Sequence, residues 1–140
     1  MSLKASAHSV PGTLRQEVLV DGSHRFVTDE PESVGGGGSA PAPHELLPAA
    51  LASCVSTMIV MYARTKQWPL DGVEVDVEYD HRATPRRFEI GIRLTGPLTE
   101  VQVERLEKVA RTCPVKRALE GAAVVVEHGA VRRTHRADAA

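Results

Sequence analysis

Residues 71–94 alternate between apolar and polar side chains in two successive runs. A period of two places one face of a strand on a core and the other in water. The apolar positions of the two runs are Val73, Val75, Val77 and Tyr79, then Phe88, Ile90, Ile92 and Leu94. The pattern predicts an antiparallel hairpin in the middle of the chain.

A shorter hairpin is predicted nearer the N-terminus, with strands at 14–20 and 24–28. Asp21, Gly22 and Ser23 supply its turn. Residues 29–42 are rich in glycine and proline, which predicts an irregular connection. The glycines at 35–38 do not indicate a phosphate-binding loop, because no Gly-Lys-Ser/Thr sequence follows them.

Residues 44–67 predict a helix that is apolar nearly all round and therefore buried on most sides. Trp68 and Pro69 end it. Pro48 lacks an amide hydrogen, so the first turn is expected to be kinked or to start late. The apolar stretch 46–63 approaches the length of a membrane span. Its alanine, serine and threonine content favours instead the core of a soluble protein.

The C-terminal part predicts a helix opening at Thr99, where Gln102 completes a capping box. The chain breaks at Pro114, resumes as a short helix through Leu119 and ends in a strand at 122–127. This order of hairpins and helices indicates one α+β domain spanning residues 1–140. Its core is expected at about 13–128, with flexible ends.

The bulk composition fits a single domain of 140 residues with a net charge of -1. That balance gives no electrostatic reason to expect nucleic acid or a membrane surface as partner. The N-terminus shows no apolar signal segment, so we expect a cytoplasmic protein whose two cysteines are thiols. The histidines and cysteines lack zinc-type spacing, and we expect neither a metal nor another cofactor.

The two cysteines differ in how their surroundings affect the thiolate. Cys113 precedes Pro114 at a predicted helix start, and Lys116 and Arg117 follow. The amides at the start of that helix and the two cationic side chains favour a thiolate. Cys54 lies within the apolar helix, where burial makes a thiol less reactive. The alternative for either cysteine is that it serves only as a small, buried apolar residue, as free cysteines often do. The residues alone thus favour Cys113 as the better activated thiol.

Cys54 would need a charged group to reach into its apolar setting. The candidates along the chain are Glu45 and two arginines of the N-terminal hairpin, Arg15 and Arg25.

Four stretches together resemble the OsmC/Ohr family. They read HRFVTDEP at 24–31, PHELLPAALASC at 43–54, MYARTKQWPL at 61–70 and ARTCPVKRAL at 110–119. The resemblance extends from about residue 14 to residue 126. It implies an OsmC-like fold, in which antiparallel sheets pack around long central helices in an intertwined homodimer.

The resemblance also implies a thiol-dependent peroxidase. Cys54 would attack an organic hydroperoxide, become a sulfenic acid and condense with Cys113 to a disulfide. A low-molecular-weight dithiol or a protein thiol would then reduce the pair. In the peroxidase branches an arginine and a glutamate activate the first cysteine, and Arg15 and Glu45 are the candidates here.

The chain departs from the family pattern at the activating glutamate. Ten residues before Cys54, where the peroxidase branches carry it, stands His44. Glu45 is the next residue, about 100° further round a helix. The departure keeps open a dimeric carrier of small hydrophobic ligands, since the apolar helix would line a pocket. A scaffold that uses Cys113 alone is a third possibility.

Overall fold

The computed structural model describes residues 2–121 and 124–133 and has an α+β architecture, as the sequence predicts. Two separate antiparallel sheets are present. The first sheet consists, in spatial order, of β1 (Ala5–Ser9), β2 (Gln16–Val20) and β3 (His24–Thr28). The second sheet pairs β4 (Gly72–Asp80) with β5 (Arg87–Thr95). The helices are α1 (Leu46–Lys66), α2 (Glu100–Ala110) and α3 (Pro114–Glu120).

Both predicted hairpins are confirmed. In the second, Val77 lies opposite Ile90, so the apolar side chains of the two strands share one face. In the first, Val18 lies opposite Phe26. The strand predicted at 14–20 begins only at Gln16, because the preceding residues form a turn in which the Thr13 hydroxyl accepts from the Arg15 amide at 3.0 Å.

Two strand predictions need correction. Strand β1 was not expected, because its alanine, serine and histidine residues show no apolar alternation and are all exposed; it pairs antiparallel with β2. The strand predicted at 122–127 is not formed over 124–127, where the valines are exposed and no neighbouring strand pairs with them. Residues 122 and 123 lie outside the described residues.

Helix α1 starts late, as Pro48 requires. A 3₁₀ turn over Pro43–Glu45 precedes it, and Pro48 is then its third residue, where no amide is needed for the helical ladder. No kink at Pro48 is needed. At the other end Gln67 adopts a left-handed conformation with φ of 56°, and the Trp68 amide donates to the Ala63 carbonyl at 2.9 Å.

One stripe of α1 forms the centre of the core. Its members are spaced four apart, and none is more than 2% exposed: Leu51, Val55, Ile59 and Ala63. The stripe packs against β4 and α2, where Leu106 and Ala110 join the same cluster. The expectation that α1 is buried on most sides is wrong for the single chain, since Leu47 and Met61 are exposed. Pro43–Lys66 is long and apolar enough to span a membrane, a test of length and composition that the core helix of a soluble protein also passes.

The first sheet packs chiefly on itself. Its strands contact one another, whereas the other extensive contacts pair β4 with β5 and join α1 to β4, α2 and α3. None of its residues belongs to the buried cluster, and Phe26 on β3 and Leu14, shortly before β2, remain exposed. The open side of α1 and the apolar residues of this sheet are therefore surfaces that the single chain leaves uncovered.

Truncating Leu106 to alanine should destabilise the protein by about 2–5 kcal/mol, because it removes a fully buried side chain from the core. The matched control is Val101→Ala on the same helix, where an exposed side chain should change stability by no more than about 0.5 kcal/mol. Urea unfolding at one protein concentration measures both. Equal losses would show that the core lies elsewhere.

Candidate redox site

The structure brings Cys54 and Cys113 together where α1 meets the junction of α2 and α3. Cys54 directly precedes Val55 of the buried stripe and packs against the cluster that contains Cys113. Cys113 is 0% exposed, while Cys54 is half-buried. Both are free thiols. The arrangement offers one sulfur that solvent can reach and a second, sheltered sulfur beside it.

Short-range hydrogen bonds fix the chain around Cys113. The Thr112 hydroxyl donates to the Val109 carbonyl at 2.7 Å and ends α2. Cys113 is the N-cap of α3, and its carbonyl accepts from the Arg117 amide at 3.1 Å. Proline at the first helical position has no amide to satisfy there, which is why the break falls at Pro114.

The pKa of the Cys54 thiol is raised above its ordinary value. Burial is the largest cause, because it disfavours the thiolate. The neighbouring Cys113 thiol raises the pKa further, and the backbone amide of Val115 opposes both by stabilising the anion. Among residues 2–121 and 124–133 of one chain, no cation contributes to the pKa of Cys54, whereas an attacking thiolate needs one nearby.

The effect of the Val115 backbone amide on the pKa of Cys54 was not predicted from the sequence. The start of α3 was expected to favour the thiolate of Cys113, yet its amide acts on Cys54. A backbone amide leaves no side-chain signal, so only the packing of α3 on α1 reveals it. Lys116, also expected to favour the anion, forms an ion pair with Glu120 one turn along the helix.

The other predicted site residues do not reach Cys54 within one chain. The Arg15 guanidinium donates to the Ser39 hydroxyl, at the edge of the first sheet. Arg25 lies on β3 of that sheet. The Glu45 carboxylate accepts from the Ala42 amide at 2.9 Å and thus caps the turn before α1.

His44 stands where the resemblance leads one to expect the activating glutamate, and it lies next to a second histidine. Its ring centre lies 5.6 Å from that of His81, in the loop between β4 and β5. In residues 2–121 and 124–133, no group of three or more histidine, cysteine or acidic side chains is arranged to hold a metal ion.

Two adjoining cavities, which share Ile90 and Lys116, lie between α1, β5 and the C-terminal helices, and neither is lined by a cysteine. The first, about 440 Å³, is walled by Val55, Ile90, Ile92, Glu107, Ala110, Arg111 and Lys116. The second, about 560 Å³, has mostly apolar walls from Leu47, Leu51, Tyr79, Phe88, Ile90 and Leu119, with Arg86, Lys116 and Glu120 beside them. Their volumes match those of small-molecule sites. An apolar molecule with a polar end fits such walls.

A buried carboxylate, Asp29, was also missed. It is 1% exposed, and its oxygens accept from the amides of Glu30, Gly37 and Ser39 and from the Ser39 hydroxyl. These bonds, the Ser39 hydroxyl first, lower its pKa from 3.8 to about 2. The loop closes tightly over it: a Cβ on Gly36 would lie 1.9 Å from the Glu30 carbonyl oxygen. Aspartate before a glycine-rich turn was the available signal.

Residues 36–129 match the sequence model of a family described as OsmC-like protein. The chain belongs to this OsmC-like family. The resemblance noted from the four motifs is thereby confirmed, and the α+β fold with its long helix matches solved OsmC-like structures. No curated protein sequence matches the chain significantly.

Several solved structures are similar over most of their length. One, from Psychrobacter arcticus 273-4, is described as an osmotic stress induced and detoxification response protein; it is 29% identical, with 81% of this chain and 85% of that one covered and a TM-score of 0.69. An organic hydroperoxide resistance protein OsmC from Legionella pneumophila is 29% identical, with coverage of 86% and 90% and a TM-score of 0.61. The fold also matches OhrB of Bacillus subtilis at 23% identity, coverage of 87% and 93%, and a TM-score of 0.55.

Acid should destabilise this protein through Asp29. Its folded pKa, about 2, lies below the ordinary 3.8, so its ionised form stabilises the fold above pH 3.8. That contribution is lost as the pH falls from 3.8 through about 2. Urea midpoints between pH 6 and 2 should therefore fall more steeply for the wild type than for Asp29→Asn. Glu104→Gln, at an exposed residue of α2, is the control and should keep the wild-type slope.

Proposed function

We propose that this protein is a homodimeric thiol peroxidase that reduces organic hydroperoxides, with Cys54 as attacking and Cys113 as resolving cysteine. The observation that carries the proposal is the contact between two free cysteines from distant parts of the chain. Their unequal exposure supports the assignment. The attacking sulfur has to meet a peroxide, as the half-buried Cys54 can, whereas a resolving sulfur has to meet only Cys54.

The chemistry uses both thiols in turn. The Cys54 thiolate attacks one oxygen of the peroxide, the O–O bond breaks, and the departing alkoxide takes a proton to become an alcohol. Cys54 is left as a sulfenic acid. The Cys113 thiolate then attacks the Cys54 sulfur, forms the disulfide and releases the oxygen as water. Two external thiols reduce the disulfide by exchange and are themselves oxidised.

A second copy supplies what the single chain lacks. The open side of α1 and the uncovered first sheet give the dimer its apolar surfaces. We place Arg15, which its own sheet holds away from Cys54, beside the partner's Cys54. A guanidinium there lowers the thiol pKa and offsets the effect of burial. Glu45 caps the turn before α1, and a role for it at the cysteine stays a prediction.

The relatives support the choice of substrate. The similar proteins of Legionella and Bacillus are organic hydroperoxide resistance proteins. We extend that chemistry to this chain, and we place the protein in the cytoplasm, where a small dithiol or a protein thiol would reduce it. No nucleic acid or membrane enters the proposal.

The alternative is a dimeric carrier of small hydrophobic molecules. The two cavities favour it, because walls that combine apolar and charged side chains need no redox chemistry to bind a ligand. In that case an apolar molecule would copurify with the protein, and Cys54→Ser would leave its binding intact.

Reduced protein treated with cumene hydroperoxide should lose both thiols of each chain. Cys54→Ser should keep its remaining thiol and lose turnover by on the order of 10³-fold or more. Cys113→Ser should stop at a sulfenic acid on Cys54, which dimedone traps. Thiol titration and mass spectrometry measure all three. Survival of both wild-type thiols in excess hydroperoxide would contradict the proposal and favour the carrier.

A further inference from the structure

The loop after β3 is folded around a buried negative charge. Asp29 holds it closed by accepting from the Glu30 amide at 2.8 Å, the Gly37 amide at 3.2 Å and the Ser39 amide at 3.1 Å. The Asp29 amide itself donates to the Pro41 carbonyl at 3.0 Å. Both ends of the loop are thus tied to one residue.

The Ser39 hydroxyl links this anion to Arg15. It lies 2.7 Å from an Asp29 carboxylate oxygen and is also hydrogen-bonded to Nη1 of Arg15. A guanidinium only donates and a carboxylate only accepts, so the direction of both bonds is fixed. Arg15 donates to the hydroxyl oxygen, and the hydroxyl proton goes to Asp29.

This link holds Arg15 without a direct salt bridge. Across the described ranges 2–121 and 124–133, no carboxylate lies within ion-pair distance of the Arg15 guanidinium. A direct salt bridge would offset more of its charge, whereas the Ser39 hydroxyl orients the guanidinium and keeps the Asp29 carboxylate out of direct contact with it. An oriented, unpaired cation is what a buried thiol needs to ionise.

We propose that Asp29, acting through Ser39, is a positioning residue that sets the Arg15 guanidinium for the Cys54 thiolate of the dimer. The inference rests on the proposed function, because it names the device that positions the activating cation of that same site. Asp29 itself touches neither the thiol nor the peroxide.

Variants of Ser39 distinguish the positioning of Arg15 from the folding of the loop. Ser39→Ala removes the hydroxyl link but keeps the three amides that bind Asp29. Ser39→Thr retains a hydroxyl and is the matched control. Asp29→Asn removes the charge, and its unfolding midpoint shows whether it still folds; if it does not, Ser39→Ala carries the test.

The readout is the rate of Cys54 alkylation by iodoacetamide between pH 5 and 10, measured on the full-length protein in a Cys113→Ser background. Arg15→Ala should move the titration midpoint upward by about 1 pH unit or more, since it removes an opposite charge. Ser39→Ala and Asp29→Asn should move it in the same direction, and Ser39→Thr should stay near the wild type. Adding Ser39→Ala to Arg15→Ala should cause no further shift, because both act through one guanidinium.

The inference is overturned if Ser39→Ala and Asp29→Asn keep the wild-type profile while Arg15→Ala shifts it. Additive shifts in the double variant would overturn it as well, since the link would then act independently of Arg15. The alkylation assay uses no peroxide. Suppose that Ser39→Ala and Arg15→Ala shift the alkylation midpoint without adding to each other, but that the protein consumes no hydroperoxide. That result would reject the proposed function and leave the positioning role supported.

Discussion

The packing of one stripe of α1 on α2 and β4 is the interaction on which the site depends. Each fully buried aliphatic side chain contributes about 1.5–3 kcal/mol, so a stripe of them holds the helix firmly. Cys54 adjoins Val55 of that stripe, and Cys113 belongs to the same buried cluster. The contact between the two thiols is therefore set by the hydrophobic core, and the chemistry needs no separate scaffold to bring them together.

The same packing explains why the site is incomplete in one chain. Burial in the core raises the pKa of Cys54, and in the described part of the chain the Val115 amide alone opposes that rise. Arg15, the cation that we propose for the thiolate, directly precedes β2 of the first sheet, which packs chiefly on itself. A dimer that covers both the open side of α1 and this sheet would bring Arg15 of one chain to the cysteine pair of the other. The proposed function depends on that arrangement.

The parts of the fold that follow from local pattern were predictable from the sequence. The alternation in β4 and β5 fixes which face is buried, and Thr99 with Gln102 marks the start of α2. Strand β1 could not be predicted, because all its residues are exposed and its sequence has no alternating apolar pattern, whereas its pairing with β2 is formed by the backbone ladder. The burial of α1 was overestimated, because a helical pattern shows which residues are apolar but not which of them a partner covers.

The site divides in the same way. Resemblance paired Cys54 with Cys113, whereas the residues next to each cysteine favoured Cys113 as the activated thiol. The Val115 amide and the link from Asp29 to Arg15 arise from tertiary contacts, for which the sequence carries no periodic signal. Mixed dimers of Cys54→Ser and Arg15→Ala chains, purified through two different tags, test the central claim most directly. If Arg15 serves the partner's Cys54, each mixed dimer regains one working site and its peroxidase activity exceeds that of either parent; if the mixed dimers are as inactive as both parents, the claim is wrong.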